Sequence, residues 1–294
     1  MSSSTDTFFR PTGTTRVGGL IGLPTRHSLS PMMHNDSFHL LGIDFVYLCF
    51  DVKDEDVGTV VGALRAVDAY GFNVTMPHKR AVIPYLDELS KEAALCGAVN
   101  TVVNDNGRLI GHNTDGTGFL SGVREAGCEI AGQEITLIGA GGAGSAIASA
   151  AVLSGIRALN IVCRRSRSWE SAAALASSLT EASGCPVQLI PLDDAGAVRS
   201  AVRGSCLLIN ATNVGMAPDT EKMPVSDPDI YHPSLTVADV IYHPRRTAFL
   251  KQAAEHGCRV VGGLEMLLNQ GREAFRLWTG AEMPVDVIRE RYFS

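Results

Sequence analysis

Ile135-Thr-Leu-Ile-Gly-Ala-Gly-Gly-Ala-Gly144, running on into Ser145-Ala-Ile-Ala-Ser-Ala-Ala-Val-Leu153, reads as strand, glycine turn and helix. Gly139, Gly141 and Gly144 fit G-x-G-x-x-G. The first glycine permits a tight turn, the second lets backbone approach a pyrophosphate, and the third lets helix and strand pack closely. Free N–H groups and a partial positive charge at the helix start hold phosphate without a basic side chain. A dinucleotide is the expected ligand. The plainer alternative is a glycine-rich turn of any packed α/β protein.

Downstream of that turn, short apolar runs alternate with helical stretches: 159–163, 187–190, 206–209, 236–241 and 258–261. With 135–138 they make six strands. This alternation predicts a parallel, doubly wound sheet with a ligand crevice at the carboxyl ends of its strands. After Gly262 two further helices are expected, one reaching Trp278 and one following Pro284; they exceed what six strands need, so they are expected to return to an N-terminal domain. The second strand of the nucleotide unit ends Asn160-Ile-Val-Cys-Arg-Arg-Ser-Arg167, with no acid before Glu170. An acid there favours NAD and arginine accommodates the 2'-phosphate of NADP. Arg164, Arg165 and Arg167 therefore favour NADP and leave NAD open.

Upstream, 17–24 is a strand candidate followed by Thr25-Arg-His-Ser-Leu-Ser-Pro31. Ser30 and Pro31 read as N-cap and first residue of a helix to about Leu41. Ser28 and Ser30 then stand at a helix start, either as ligand groups or, for Ser30, as the cap alone. A second strand (45–50), a helical stretch (54–67) and a third strand running into Gly71-Phe-Asn-Val-Thr-Met-Pro-His-Lys79 follow. Lys79 is expected where a helix starts, against the macrodipole, which hints at function. Segments 99–103 and 109–113 flank Asn104-Asp-Asn-Gly107 as a hairpin. Asp115 falls between that hairpin and a helix over 119–126.

With 294 residues and 45% apolar residues, two domains can each fill a core. No run approaches the roughly 18 apolar residues of a membrane span. The N-terminus lacks a secretory pattern and reads as a loose tail, so a soluble cytoplasmic protein is expected. Seven scattered cysteines without C-x-x-C pairs read as thiols of a reducing compartment and not as a metal site. A net charge of -6 disfavours nonspecific nucleic-acid binding.

Taken together, His27-Ser-Leu-Ser-Pro31, Asn73-Val-Thr-Met-Pro-His-Lys79, Gly97-Ala-Val-Asn-Thr101, Asn113-Thr-Asp-Gly116, the glycine turn, Asn210-Ala-Thr212 and Gly263-Leu-Glu-Met266 give the chain a resemblance to the shikimate dehydrogenase family, its quinate/shikimate branch included. The resemblance implies an α/β substrate domain over 1–116, a Rossmann domain over 117–261, and helices from 262–294 that pack back on the first. It implies that Lys79 and Asp115 are catalytic. Ser28 and Ser30 would bind the substrate carboxylate, and Thr75, Asn100 and Gln270 would join Asp115 on the ring hydroxyls, with Tyr242 nearby. Gly139, Ala140, Gly141, Gly142, Ala143, Gly144, Arg164, Arg165, Arg167, Thr212 and Gly263 would contact the coenzyme. The implied activity is the reversible NADP(H)-dependent interconversion of shikimate and 3-dehydroshikimate. Quinate with NAD(H) is the alternative, as is a non-catalytic dinucleotide sensor on the same fold. The Cys163-Arg-Arg-Ser166 loop lies nearer the quinate branch but has Ser166 where that branch has an acid. Oligomeric state is left open, a homodimer included.

Overall fold

A computed structural model describes residues 11–166 and 168–293. The chain divides into two compact units. The first comprises residues up to Glu88, then Val99–His112 and Ala274 onward; the second comprises Leu89–Ala98 and Asn113–Glu273. This division follows packing and cuts through one helix, Leu264–Thr279.

The first unit is built on a mixed sheet of β1 (Arg16–Gly22), β2 (Phe45–Asp51), β3 (Gly71–Val74), β4 (Glu88–Leu89), β5 (Thr101–Asp105) and β6 (Arg108–His112), in the order β2-β1-β3-β5-β6-β4. The first three strands are parallel, joined through α1 (Ser30–Leu40) and α2 (Val57–Ala66). The expected hairpin is β5 and β6, antiparallel from Thr101↔His112 to Asp105↔Arg108, and positive φ at Asn106 and Gly107 turns it. Phe38, Phe45, Tyr47, Phe275 and Trp278 are buried around His34. The Trp278 indole donates to the Val102 carbonyl at 3.0 Å, so the returning C-terminal residues are part of this core. A β-carbon on Gly71 would lie 2.2 Å from the Trp278 ring nitrogen. Only glycine admits the indole there.

The second unit carries α3 (Lys91–Cys96), α4 (Asp115–Glu125) and the six-stranded sheet expected downstream. Its strands are β7 (Glu134–Ile138), β8 (Ala158–Cys163), β9 (Val187–Pro191), β10 (Leu207–Asn210), β11 (Thr236–Asp239) and β12 (Arg259–Val261). All five pairings are parallel and the order is β12-β11-β10-β7-β8-β9. This is the 3-2-1-4-5-6 order of dinucleotide folds, with its reversal between β7 and β10. Alternate strand residues supply two cores. Ile135, Leu137, Leu159, Ile161 and Ile209 pack with residues of α4, α5 (Gly142–Leu153) and α6 (Trp169–Ser183). Ile138, Val162, Leu208 and Val237 pack with residues of α7 (Ala195–Gly204) and α8 (Ala248–Glu255). Helices α9 (Leu264–Thr279) and α10 (Val285–Phe293) complete the chain.

Three local expectations need correction. Ser30 is not the N-cap of α1: the cap is Leu29, and the Ser28 hydroxyl accepts the Ser30 N–H at 3.2 Å. No helix starts at Lys79, which sits in a turn; its carbonyl accepts the Val99 N–H at 2.8 Å, a long-range bond that replaces a helical one. The macrodipole argument for that lysine therefore falls away. Helix α4 begins at Asp115, four residues before the expected Phe119, because the Asn113 side chain accepts the Asp115 N–H at 3.1 Å.

Candidate active site

In the first unit the polar residues singled out by sequence come together beyond the carboxyl ends of β1 and β3. These strands are parallel neighbours, with Ile21 beside Val74. The chain leaving β1 carries Ser28 and Ser30, both half-buried; Thr75 follows β3 directly, and Lys79 lies in the next turn. Leu23 N–H to the Met76 carbonyl at 3.0 Å and Thr75 N–H to the Ile21 carbonyl at 2.9 Å bind the two exits. Asn100, 3% exposed, is reached from the same strand: its carbonyl accepts the Val74 N–H at 2.8 Å.

A buried polar relay supports this group. The Asn73 amide nitrogen donates to the Asn100 carbonyl and to the Thr101 hydroxyl, both at 3.0 Å. The Thr101 hydroxyl donates to the Asn100 side-chain oxygen at 3.0 Å, which fixes the direction of that amide. Asn73 is itself oriented by the Tyr47 hydroxyl at 2.7 Å. Burial raises the Tyr47 phenol well above its usual range, keeping it a neutral donor. Tyr47 carries no sequence signal of this role, since a tyrosine in an apolar strand reads as core. Asp51 receives the Thr25 N–H and hydroxyl, each at 2.7 Å, which hold its carboxyl below the ordinary range and anchor the start of the serine segment.

In the second unit Asp115 is the first residue of α4, 8% exposed, where the helix N-terminus favours a carboxylate. Two glycines of α4 admit neighbours: a β-carbon on Gly116 would meet the Ala146 carbonyl of α5 at 2.1 Å, and one on Gly118 would meet the Gln270 nitrogen of α9 at 2.4 Å. Gln270 thus lies beside the helix face one turn from Asp115. Its amide donates to the Leu267 carbonyl at 2.9 Å.

The glycine turn packs strand against helix tightly at its ends and is open in its middle. Gly139 follows β7 directly at φ 98°, and a β-carbon on Gly144 would lie 2.1 Å from the Gly139 carbonyl. Gly141 caps α5, and space stands open where β-carbons of Gly141 and Gly142 would be. The backbone there is uncovered, with Ala140 and Ala143 half-buried beside it. Thr212 leaves β10 and packs its methyl against Gly139. Gly263 packs against the Val240 carbonyl just after β11, and Tyr242 is 52% exposed on that loop.

Arg164 and Arg165 are exposed directly after β8. Arg165, Ser166, Trp169 and Glu170 line a pocket, and the Arg165 guanidinium stands 5.9 Å from the Trp169 ring. Trp169, partly exposed at the start of α6, carries no sequence signal of a site. Arg167 lies outside the described residues. Among the described residues no cluster of three or more His, Cys, Asp or Glu could hold a metal ion.

The family pattern for the shikimate dehydrogenase substrate binding domain matches residues 20–102, and that for the shikimate 5'-dehydrogenase C-terminal domain matches 263–291. A shikimate dehydrogenase (NADP(+)) of Listeria monocytogenes is 44% identical over 97% of this chain and 98% of its own. The crystal structure of a shikimate 5-dehydrogenase from Listeria monocytogenes with shikimate and NAD superposes at a TM-score of 0.95, with 44% identity over 97% of this chain and 99% of that one. A quinate dehydrogenase from Corynebacterium glutamicum with NAD reaches 0.84 at 34% identity, over 95% and 98% of the two chains.

Proposed function

The chain belongs to the shikimate dehydrogenase family, and from that premise we propose that it interconverts shikimate and 3-dehydroshikimate with NADP(H). The observation that carries this reading is the 44% identity, over nearly the whole of both chains, to a relative named for that reaction and coenzyme.

Oxidation of a secondary alcohol removes a hydride from carbon and a proton from oxygen. When bound, the nicotinamide supplies the hydride acceptor. Gly139 to Gly144, Thr212 and Gly263 would hold the coenzyme, through open backbone at the turn, the Thr212 loop packed on it and the Gly263 backbone packed on Val240. Arg164 and Arg165 would meet its 2'-phosphate, where a guanidinium makes short charge-assisted bonds. Lys79 is assigned the hydroxyl proton: it accepts it in oxidation and returns it to the alkoxide in reduction. Asp115 is assigned a ring hydroxyl and, with Lys79, the proton transfer. Ser28 and Ser30 would take the substrate carboxylate; Thr75, Asn100 and Gln270 would take the hydroxyls, with Tyr242 at the edge.

The same reading makes 1–116 the substrate part, 117–261 the coenzyme part and 262–294 the returning helices. It also carries a cytoplasmic location and a homodimer, which light scattering would test. No helix of the described residues is long and apolar enough to cross a membrane.

The deciding experiment follows reduced-nicotinamide absorbance with shikimate or quinate against NADP or NAD. Fastest turnover with shikimate and NADP is expected. Preference for quinate with NAD would replace the reading by its alternative. Saturable coenzyme binding without turnover in any pairing would make the protein a sensor.

A further inference from the structure

Asp239 ends β11 with no exposure to solvent, and no step of the reaction uses it. Among the described residues, hydrogen-bond donors surround its carboxylate. One oxygen accepts the Ile241 N–H at 2.9 Å and the Asn210 amide at 3.2 Å. The other accepts the Thr247 hydroxyl at 2.8 Å and the same amide at 3.2 Å.

Asn210 passes this anchorage on. Its side-chain oxygen accepts the Thr212 N–H at 3.1 Å and the Thr212 hydroxyl at 2.7 Å, while its nitrogen also donates to the Val214 carbonyl at 3.2 Å. The Thr212 hydroxyl accepts the Val214 N–H at 3.1 Å, closing the loop on itself. The Thr212 methyl stands 2.7 Å from where a β-carbon on Gly139 would lie. An unbroken line of contacts therefore runs from the Asp239 carboxylate to the first glycine of the phosphate turn.

A carboxylate ringed by donors is matched to its ionised form, because a protonated oxygen would point a hydrogen at another donor. Burial acts the other way and dominates, pushing the carboxyl up to about 6 against the hydrogen bonds from Ile241, Thr247 and Asn210. From β10, from the loop after β11 and from the start of α8, the groups facing it are an amide, a backbone N–H and a hydroxyl. None of these titrates in this range. His243, Arg245 and Arg246 on the same loop are exposed.

We propose that Asp239 is a positioning residue for the coenzyme: its carboxylate, acting through Asn210, holds the Thr212 loop on the Gly139 turn, and protonation loosens that loop and weakens dinucleotide binding. This rests on the coenzyme reading of the glycine turn.

The test measures the dissociation constants of NAD and NADP from pH 5 to 8. NAD lacks the 2'-phosphate, a group that itself titrates near 6, as phosphate monoesters do. Wild-type affinity for NAD is expected to fall several-fold as pH drops through the Asp239 transition. Thr247→Val removes one donor to the ionised form and should move the midpoint up by about one pH unit. Thr247→Ser should restore it. Asp239→Asn should bind NAD more weakly at pH 8 and show no midpoint. If Thr247→Val does not fold, the wild-type and Thr247→Ser profiles together with Asp239→Asn still decide. Flat NAD affinity in the wild type, or a midpoint unchanged in Thr247→Val, overturns the proposal. Failure of both dinucleotides to bind at any pH overturns the coenzyme reading and this inference with it.

Discussion

The Tyr47 hydroxyl donates to the side-chain oxygen of Asn73 at 2.7 Å, and that one bond decides which way the Asn73 amide faces. With the oxygen committed, the nitrogen turns to the Asn100 carbonyl and the Thr101 hydroxyl. A residue of a core strand thereby orients a proposed substrate group, Asn100, three strands along the sheet. Tyr47→Phe keeps the ring and its stacking on His34 but leaves a buried amide oxygen without its donor. The expected cost is about 1–3 kcal/mol of stability. The Michaelis constant for shikimate should rise, with a smaller change in turnover. Chemical denaturation and steady-state kinetics would check this; an unchanged Michaelis constant would detach the relay from the site.

Lys79→Ala should lower turnover by roughly 10²- to 10⁴-fold, the scale of general acid-base catalysis. The Lys79 carbonyl, not its side chain, bonds Val99, so the backbone of the turn survives the substitution. Coenzyme dissociation constants should stay near the wild-type value. Turnover at the wild-type rate would remove Lys79 from the chemistry.

Coenzyme choice should divide between Arg165 and Glu170, which share a pocket with opposite charges. Arg165→Ala should raise the Michaelis constant for NADP by about five- to tenfold, a range set by a solvent-exposed charge contact, with little change for NAD. Glu170→Gln removes a negative charge and should favour NADP further. The ratio of kcat/KM for the two coenzymes reads both effects. Equal changes for NADP and NAD in each variant would mean that neither residue meets the 2'-phosphate.

Local chemistry made much of this fold legible and tertiary contact hid the rest. Gly139 to Gly144 is readable because turn, approach and packing are each met by a glycine at a fixed offset, and the six alternating strands follow by periodicity. The start of α4 is misread because Gly116 and Gly118 depress helix propensity, although they stand there to admit Ala146 and Gln270. Lys79 is misplaced because its carbonyl bonds Val99, twenty residues on in the chain. Asp239 and Asn210 look like ordinary strand-end residues until the β10–β11 register sets them side by side.

Stability against pH should show two buried groups pulling in opposite directions. His34 is fully buried, both ring nitrogens lack a hydrogen-bond partner, and burial lowers its pKa from 6.5 to about 3. The unfolded chain takes up a proton below 6.5 while the folded one refuses it, so stability from His34 is complete above 6.5 and is lost as pH falls toward 3. Asp239 is raised from 3.8 to about 6, so its contribution is complete below 3.8 and is lost as pH rises through 6. Each slope approaches about 1.4 kcal/mol per pH unit, and over their common window they largely cancel. Variants separate them. His34→Phe keeps an aromatic ring between Tyr47 and Phe275 and removes the histidine's slope. Relative to wild type it should gain about 2 kcal/mol between pH 7.5 and pH 5. Asp239→Asn should show the reverse, losing stability relative to wild type as pH falls from 7.5 to 5. Urea denaturation at the two pH values measures both differences. A wild-type-minus-variant difference that does not change with pH would mean that the group in question keeps its ordinary ionisation in the folded protein.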